Sequence, residues 1–337
     1  MVGKKKLAML LCTVLVGGIL AGCGKGATDS NQGTTSSEVK NIGILQIVQH
    51  DALDSANKGF VDGLKEKGYE EGKNIKIEQQ NAQGEIANTQ TIAKQFVDSK
   101  KDLIFAIATP SAQAVYNATK EIPEVFTAVT DPVGAGIAKD LKSSETNCTG
   151  TSDMVSMEEQ IDLLKKLIPN AKTVGVIYNT SEPNSVGQVD ELKKVAEAQG
   201  LAVKEISITN VNEINQNLAS ALGQIDVLYT PTDNTVASGY ALVGKLCVDK
   251  NVPIIGAEAA VVEKGGLASI GIDYYKLGEE AGYKAAEILG GKKPSDIEIT
   301  MLKDKTLTIN TDVAKKLNIT IPSDMEANAK EVTGGVE

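Results

Sequence analysis

The chain contains no tryptophan, one histidine (His50), four phenylalanines and four cysteines in 337 residues. A single histidine rules out the usual His-rich zinc sites and makes any Ser-His-Asp hydrolase depend wholly on that residue. A lone loop histidine is more often a packing or hydrogen-bonding group than a catalyst. No GxGxxG follows the apolar run ending at Ile47, and there is neither a P-loop nor a GxSxG elbow. Dinucleotide, phosphate and hydrolase readings therefore lack the geometry they need. The N-terminal apolar run, Leu7 to Leu20, is too short to span a bilayer comfortably, which takes about 20 residues, and there is no second run long enough. With 34 basic against 44 acidic residues, the formal charge of −10 argues against nucleic acid or anionic lipid as the main partner. The sequence thus predicts no enzyme, no metal and no cofactor.

What is present begins with Lys4-Lys5-Lys6, an apolar run from Leu7 to Leu20, and Leu20-Ala21-Gly22-Cys23. A basic start, a short apolar segment and small residues before a cut are the marks of a secretory signal peptide. Leu-Ala-Gly before Cys resembles a bacterial lipobox, which predicts a signal peptide over 1–22 and a lipidated, palmitate-bearing Cys23. Residues 23–40 are Gly, Ser, Thr, Asn and Asp with almost nothing apolar, the composition of a flexible tether. The expectation is an extracytoplasmic lipoprotein held to the cell membrane by acyl chains. Cys12 leaves with the signal peptide. Cys148 and Cys247 could form one disulfide in an exported protein, but they have no CxxC or metal spacing, and their apolar contexts favour two buried thiols.

The remaining 300 or so residues repeat themselves. The strand-like run 41–48, a helix from about Ser55 to Lys67 ended by Gly68, and an alternating strand over 74–79 are echoed later. The echo is a strand over 173–178, a helix from about Val186 to Gln199, Gly200, and a strand over 202–208. The runs 102–107 and 226–229 each lead into Thr-Pro-Ser or Thr-Pro-Thr and a helix, then into a short apolar strand after Pro123 or Pro253. Strands alternating with helices imply βαβ units, and near-continuous apolar strands imply a parallel sheet buried on both faces. The fold class is α/β: two Rossmann-like lobes with parallel sheets joined by a hinge. Ligands of such sheets bind beyond the carboxyl ends of the strands, so two facing lobes would share one cleft.

Several strand-end motifs carry a family resemblance. They are Gln49-His50-Asp51-Ala52-Leu53-Asp54, 108–114 (ATPSAQA), 129–133 (VTDPV), 150–153 (GTSD), 178–185 (YNTSEPNS) and 230–234 (TPTDN). In this order they resemble the solute-binding lipoproteins of ABC transporters, of the type I periplasmic-binding class, close to the tryptophan- and tyrosine-binding family. The family usually has Glu-His-Pro-Ala-Leu-Asp where this chain has 49–54. The resemblance implies capture of an amino acid, with an aromatic one (Tyr, Trp or Phe) expected, and delivery to a permease and an ATPase by a monomeric protein. A surface adhesin or sensor on the same fold is the rival. The implied lobes are 41–154 plus 271–302 and 155–270 plus 303–325, with 326–337 a C-terminal tail. Residues 150–153 and 270–273 are then hinges that let the lobes close on the ligand.

The expected site follows from strand-end position. Ser111 with Ala112, and Thr130 with Asp131, sit where a helix start or turn offers backbone N–H groups to a carboxylate. Asp233 is placed to accept from an ammonium, although Asp before a helix is also an ordinary cap. Asn184 and Ser185 precede the matching second-lobe helix and share that ambiguity. Glu258 is a further polar group at the cleft edge. Val48, Leu53, Val129 and Tyr178 are the apolar candidates for the wall around a side chain.

Overall fold

The computed structural model describes residues 39–336. The expected signal peptide, the expected lipidation at Cys23 and the expected tether lie outside them, except that the first strand already begins at Lys40. The first half runs β1 (Lys40–Gln46), α1 (Asp51–Glu66), β2 (Ile75–Asn81), α2 (Ile86–Asp98), β3 (Leu103–Ile107), α3 (Thr109–Ala118), β4 (Glu124–Thr127) and β5 (Cys148–Ser152). The second runs α4 (Met157–Leu167), β6 (Thr173–Asn179), α5 (Pro183–Ala198), β7 (Ala202–Ile208), α6 (Ile214–Ala221), β8 (Val227–Thr230), α7 (Asn234–Ser238), α8 (Tyr240–Asp249), β9 (Ile254–Gly256), α9 (Ala259–Glu263) and β10 (Ala268–Gly271). The chain ends with α10 (Tyr274–Leu289), β11 (Thr300–Met301), β12 (Thr306–Asn310), α11 (Thr311–Lys316), α12 (Ser323–Glu326) and β13 (Lys330–Val332).

The strands form two sheets, ordered β2-β1-β3-β4-β5-β11 and β7-β6-β8-β9-β10-β12-β13. The internal echo is kept in the register. Ile42 sits between Ile77 and Leu103 in the first sheet, and Val174 between Val203 and Val227 in the second. All pairs are parallel except β10 with β12. Both faces of each sheet are covered, so β3 and β8 are buried along their whole length, as continuous apolar runs require.

The chain passes from the first sheet to the second at 153–156, returns at 272–273 and crosses again at 302–305. The return is secured by α10 lying against α1 at backbone distance. A Cβ on Gly278 would stand 1.8 Å from the Ala56 carbonyl oxygen, and one on Gly59 2.0 Å from that of Tyr275. Only glycine allows the two backbones to come this close.

Two helices begin earlier than the apolar periodicity suggests. α1 starts at Asp51, with Asp51 and Asp54 in its first turn, and α5 starts at Pro183. Acid near the N-terminus suits the helix dipole, and proline is pre-set for the first helical position. The family's proline and this chain's Asp51 are therefore alternative residues for the same helix start. The stretch read from sequence as a tail (326–337) instead contributes β13, which pairs with β12. Cys148 and Cys247 are both free and fully buried. Among the described residues no helix is long and apolar enough to cross a membrane.

Candidate functional site

The carboxyl ends of the two sheets meet over a small cavity with about 10 Å³ of room for the centre of a water-sized sphere. The first sheet's loops and the hinge supply His50, Leu53, Ala128, Thr130 and Asp153. The second sheet's loops supply Asn184, Thr232, Asn234 and Glu258, and Tyr274 starts α10 beside them. The walls touch through Thr130 Oγ1 and Thr232 Oγ1, 3.3 Å apart. A larger cavity of about 210 Å³ adjoins through Thr130 and Asn184 and is lined also by Thr109, Asp131, Met154, Pro183 and Gln188.

The first-sheet wall carries backbone strain. Ala108 (φ 77°) and Ala128 (φ 54°), at the ends of β3 and β4, are in the left-handed region that a Cβ disfavours. Such conformations persist where surrounding structure over-determines them, often at binding sites. Ala108 is the residue before α3, so no side chain caps that helix. In its first turn Thr109 Oγ1 and Ser111 Oγ are buried with no hydrogen-bond partner among the described residues. Together they form a surface of neutral donors backed by a helix start, which suits an anion.

The second-sheet wall is built on buried carboxylates. Glu182 accepts from the backbone N–H groups of Asn234 and Thr235, at 3.1 and 3.0 Å, and from the Thr235 hydroxyl at 2.9 Å. It also accepts from the side-chain amides of Asn234 and Asn184, holding two cavity residues in place. Asp233 caps α7: Oδ1 accepts from Val236 N at 2.9 Å and Oδ2 from Asn179 N at 2.6 Å. Burial first, then the neighbouring Glu182, hold its carboxyl above the usual range, against the pull of those N–H groups. Glu258 precedes α9 without capping it, and its Oε2 is buried with no hydrogen-bond partner among the described residues. Asp153 accepts the Tyr274 hydroxyl on Oδ2 at 2.9 Å, leaving Oδ1 without one. His50, lowered to about 4 by burial, is neutral at physiological pH.

Of the residues singled out from sequence, Leu53, Thr130, Asn184 and Glu258 come together on the small cavity. Ser111 and Ala112 lie buried in the first turn of α3, Ser111 with its hydroxyl unpartnered. Asp131 reaches the larger cavity, but its Oδ1 accepts from the N–H groups of Val133 and Gly134. Ser185 is buried beside Asn184, within reach of its side-chain amide at 3.3 Å. Asp233 has both oxygens committed to backbone, so its capping role accounts for it. Val48 packs against the first core without lining either cavity, and Val129 is wholly inside that core. Tyr178 packs in the second core with its hydroxyl on Glu205 of β7 at 2.5 Å, away from the cleft.

Asp153, Tyr274, Thr232 and Asn234 line the cavity without having been singled out as site residues. The available signal for Asp153 and Thr232 was position alone, directly beyond β5 and β8. Among the described residues no group of three or more His, Cys, Asp or Glu is arranged to hold a metal ion. All 34 basic residues of the chain are lysine, and none lines either cavity. The arrangement offers a buried carboxylate from each sheet, Asp153 and Glu258, with hydroxyls and a helix start on the first-sheet side.

Known proteins share this architecture. A tyrosine-binding protein of Clostridioides difficile (strain R20291) is 48% identical over 320 residues, 94% of this chain and 93% of the relative. The structure of an ABC domain in complex with L-Trp from Streptococcus pneumonia is 39% identical, covering 87% of this chain and 99% of that one, with a TM-score of 0.84. A ligand-free, open substrate-binding protein with adhesive properties from Clostridium difficile is 49% identical, covering 88% and 99%, with a TM-score of 0.67. A leucine-binding protein of Thermotoga maritima shares the fold, with a TM-score of 0.59 at 16% identity. The family model described as ABC transporter substrate binding protein matches residues 41–333. That family comprises the extracytoplasmic solute-binding components of ABC transporters rather than enzymes. On the match along nearly its whole described length, the chain belongs to the ABC transporter substrate-binding proteins.

Proposed function

We propose that this protein captures an aromatic α-amino acid outside the cytoplasm and delivers it to an ABC permease. The observation that carries the reading is the polarity of the cavity. Glu258 and Asp153 offer buried carboxylate oxygens without a partner among the described residues, whereas Thr130 of the same cavity and Thr109 of the adjoining one offer hydroxyls, with Ser111 buried in the same first turn of α3 as Thr109. An α-amino acid needs both poles a few ångströms apart. With no arginine in the chain and no lysine among the described residues lining either cavity, neutral donors are left to hold the ligand carboxylate, and the α3 start is the place for it. The tyrosine and L-Trp ligands named for the relatives support an aromatic side chain. The adjoining cavity, bounded by Met154, Pro183 and Gln188, is where a ring would extend.

Capture proceeds by closure of two lobes about the three crossovers. The first lobe comprises 41–154 with 271–302, and the second 155–270 with 303 onward, including β13. The better overlay on the L-Trp complex than on the more identical open relative supports a closed arrangement here, as does the Thr130–Thr232 contact. The sequence from Leu20 to Cys23 supports a lipid anchor. The adhesive properties of one relative favour surface adhesion as a second use of the same anchored chain.

The test is calorimetry with L-tyrosine, L-tryptophan, L-phenylalanine and L-leucine against the parent and Glu258→Gln. At least one aromatic amino acid should bind more tightly than leucine. Glu258→Gln should weaken it more than tenfold, about 1.4 kcal/mol or more. Tighter binding of leucine, or unchanged affinity in the variant, overturns the reading.

A further inference from the structure

Closure places two carboxyl groups from opposite lobes on one desolvated cavity. Asp153 follows β5 of the first sheet and Glu258 follows β9 of the second, each 3% exposed. Each keeps one oxygen, Asp153 Oδ1 and Glu258 Oε2, buried without a hydrogen-bond partner, and both residues line the same small space. Among the described residues no lysine lines that space, and the chain has no arginine, so no described side-chain cation stands between them. Like charges sharing a buried site disfavour their joint ionisation, and taking an unpaired carboxylate out of water is costly.

We propose that Asp153 and Glu258 form a charge lock on the cleft. The lobes resist closing until an ammonium enters between the two carboxyls, so the pair rejects analogues that keep the ring and carboxylate but lack the amino group. This inference rests on the amino-acid reading of the site and adds to it a determinant of specificity, Asp153, and a reason why closure waits for ligand.

The surroundings leave the lock to this pair. His50 faces the cavity as a neutral ring, and Tyr274 and Tyr240 are held neutral by burial. Behind the second wall, Asp233 and Glu182 are occupied by N–H donors and add to the negative charge. Asp54 of α1 accepts from the Gln46 side chain at 2.7 Å. At the rim, Lys264 pairs with Asp51 at 3.5 Å and Lys330 with Glu263 at 3.9 Å, while Asp273 caps α10. Burial holds the Asp153 carboxyl above its ordinary range. Burial and then repulsion from Asp153 hold Glu258 well above its own. A proton is therefore a second key. The closed form binds protons more tightly than an open form with hydrated carboxyls, so unliganded closure becomes easier as pH falls from neutrality toward 5.

The experiment pairs small-angle scattering of unliganded protein with calorimetry. Scattering compares the parent, Asp153→Asn, Glu258→Gln and the double variant at pH 7.5 and 5.5. Calorimetry compares L-tyrosine, L-tryptophan and L-phenylalanine with the corresponding 3-arylpropionates. The parent should be extended at pH 7.5 and more compact at pH 5.5, and the double variant compact at both. Preference for the amino acid over its desamino partner should fall at least tenfold in Asp153→Asn. A parent already compact at pH 7.5, a double variant as extended as the parent, or an unchanged preference in Asp153→Asn overturns the lock. The scattering arm needs no ligand, so a wrong assignment of ligand would appear separately, as parent protein that binds none of the three amino acids.

Discussion

Glu124 is a fully buried acid at the start of β4, and replacing it with glutamine should stabilise the protein in a pH-dependent way. Its Oε2 accepts from the Cys148 thiol at 3.1 Å, and its Oε1 has no partner among the described residues. Burial pushes its carboxyl from an ordinary 4.5 up to about 8, against smaller opposing pulls from Cys148 and Lys120. The folded-state value is raised for an acid, so the folded chain binds this proton more tightly than the unfolded one. Stability is then lost as pH rises above 4.5, and the loss levels off above about 8. At 1.36 kcal/mol per pH unit, the cost is about 1 kcal/mol at pH 5 and about 3 kcal/mol at pH 7. Glutamine keeps the shape and an acceptor for the thiol but carries no charge. Urea unfolding of parent and Glu124→Gln at both pH values should therefore show the variant's advantage growing by about 2 kcal/mol between them. An advantage that does not change with pH would mean that Glu124 titrates in the folded chain as it does in the unfolded one, and would refute the reasoning.

Gly278→Ala should destabilise the fold by more than about 1 kcal/mol, because its Cβ would collide with the Ala56 carbonyl and push α10 off α1. Thermal unfolding checks this, and an unchanged midpoint would show that the two helices can separate freely. Asp233→Asn should keep ligand affinity within about threefold, under about 0.7 kcal/mol, since asparagine caps a helix as well as aspartate and neither oxygen faces the ligand. A loss above tenfold by calorimetry would restore Asp233 as the ammonium acceptor. Cys23→Ala should move the protein from the membrane fraction into the medium or periplasm on fractionation, and retention in the membrane would refute the anchor.

The fold was legible because a parallel sheet leaves a strong local imprint. Strands such as Leu103–Ile107 and Val227–Thr230 are buried on both faces and read as unbroken apolar runs. Gly68 and Gly200 end their helices in the left-handed region, at φ 89° and 78°, where glycine is the natural choice. What could not be read was set by distant partners. β13 is short and mostly exposed, and its pairing with β12 is fixed across the turn of α11 and α12 rather than by its own sequence. Tyr178 stands near the end of an apolar strand just as a cleft residue would, yet it packs in the second core and Glu205 of β7 receives its hydroxyl.

The acids beyond the strand ends differ in the backbone that comes directly after them, which explains why position alone did not assign their roles. Asp153, Asp233 and Glu258 stand just beyond β5, β8 and β9 and are equivalent by topology. Asp233 is immediately followed by a helix, and its short side chain folds back onto Val236 N, as aspartate does at a helix start. Its other oxygen is taken by Asn179 N, 54 residues away in sequence, a contact visible only once β6 and β8 are paired. Glu258 is also followed at once by a helix, but glutamate is one methylene longer and is not a favoured cap. It accepts nothing from α9 and lines the cavity instead, with its Oε2 buried. Asp153 has no helix directly after it, because α4 begins only at Met157 and is capped by Ser156. Two of the three acids are thus left lining the cavity, because neither side chain is drawn off to cap a following helix.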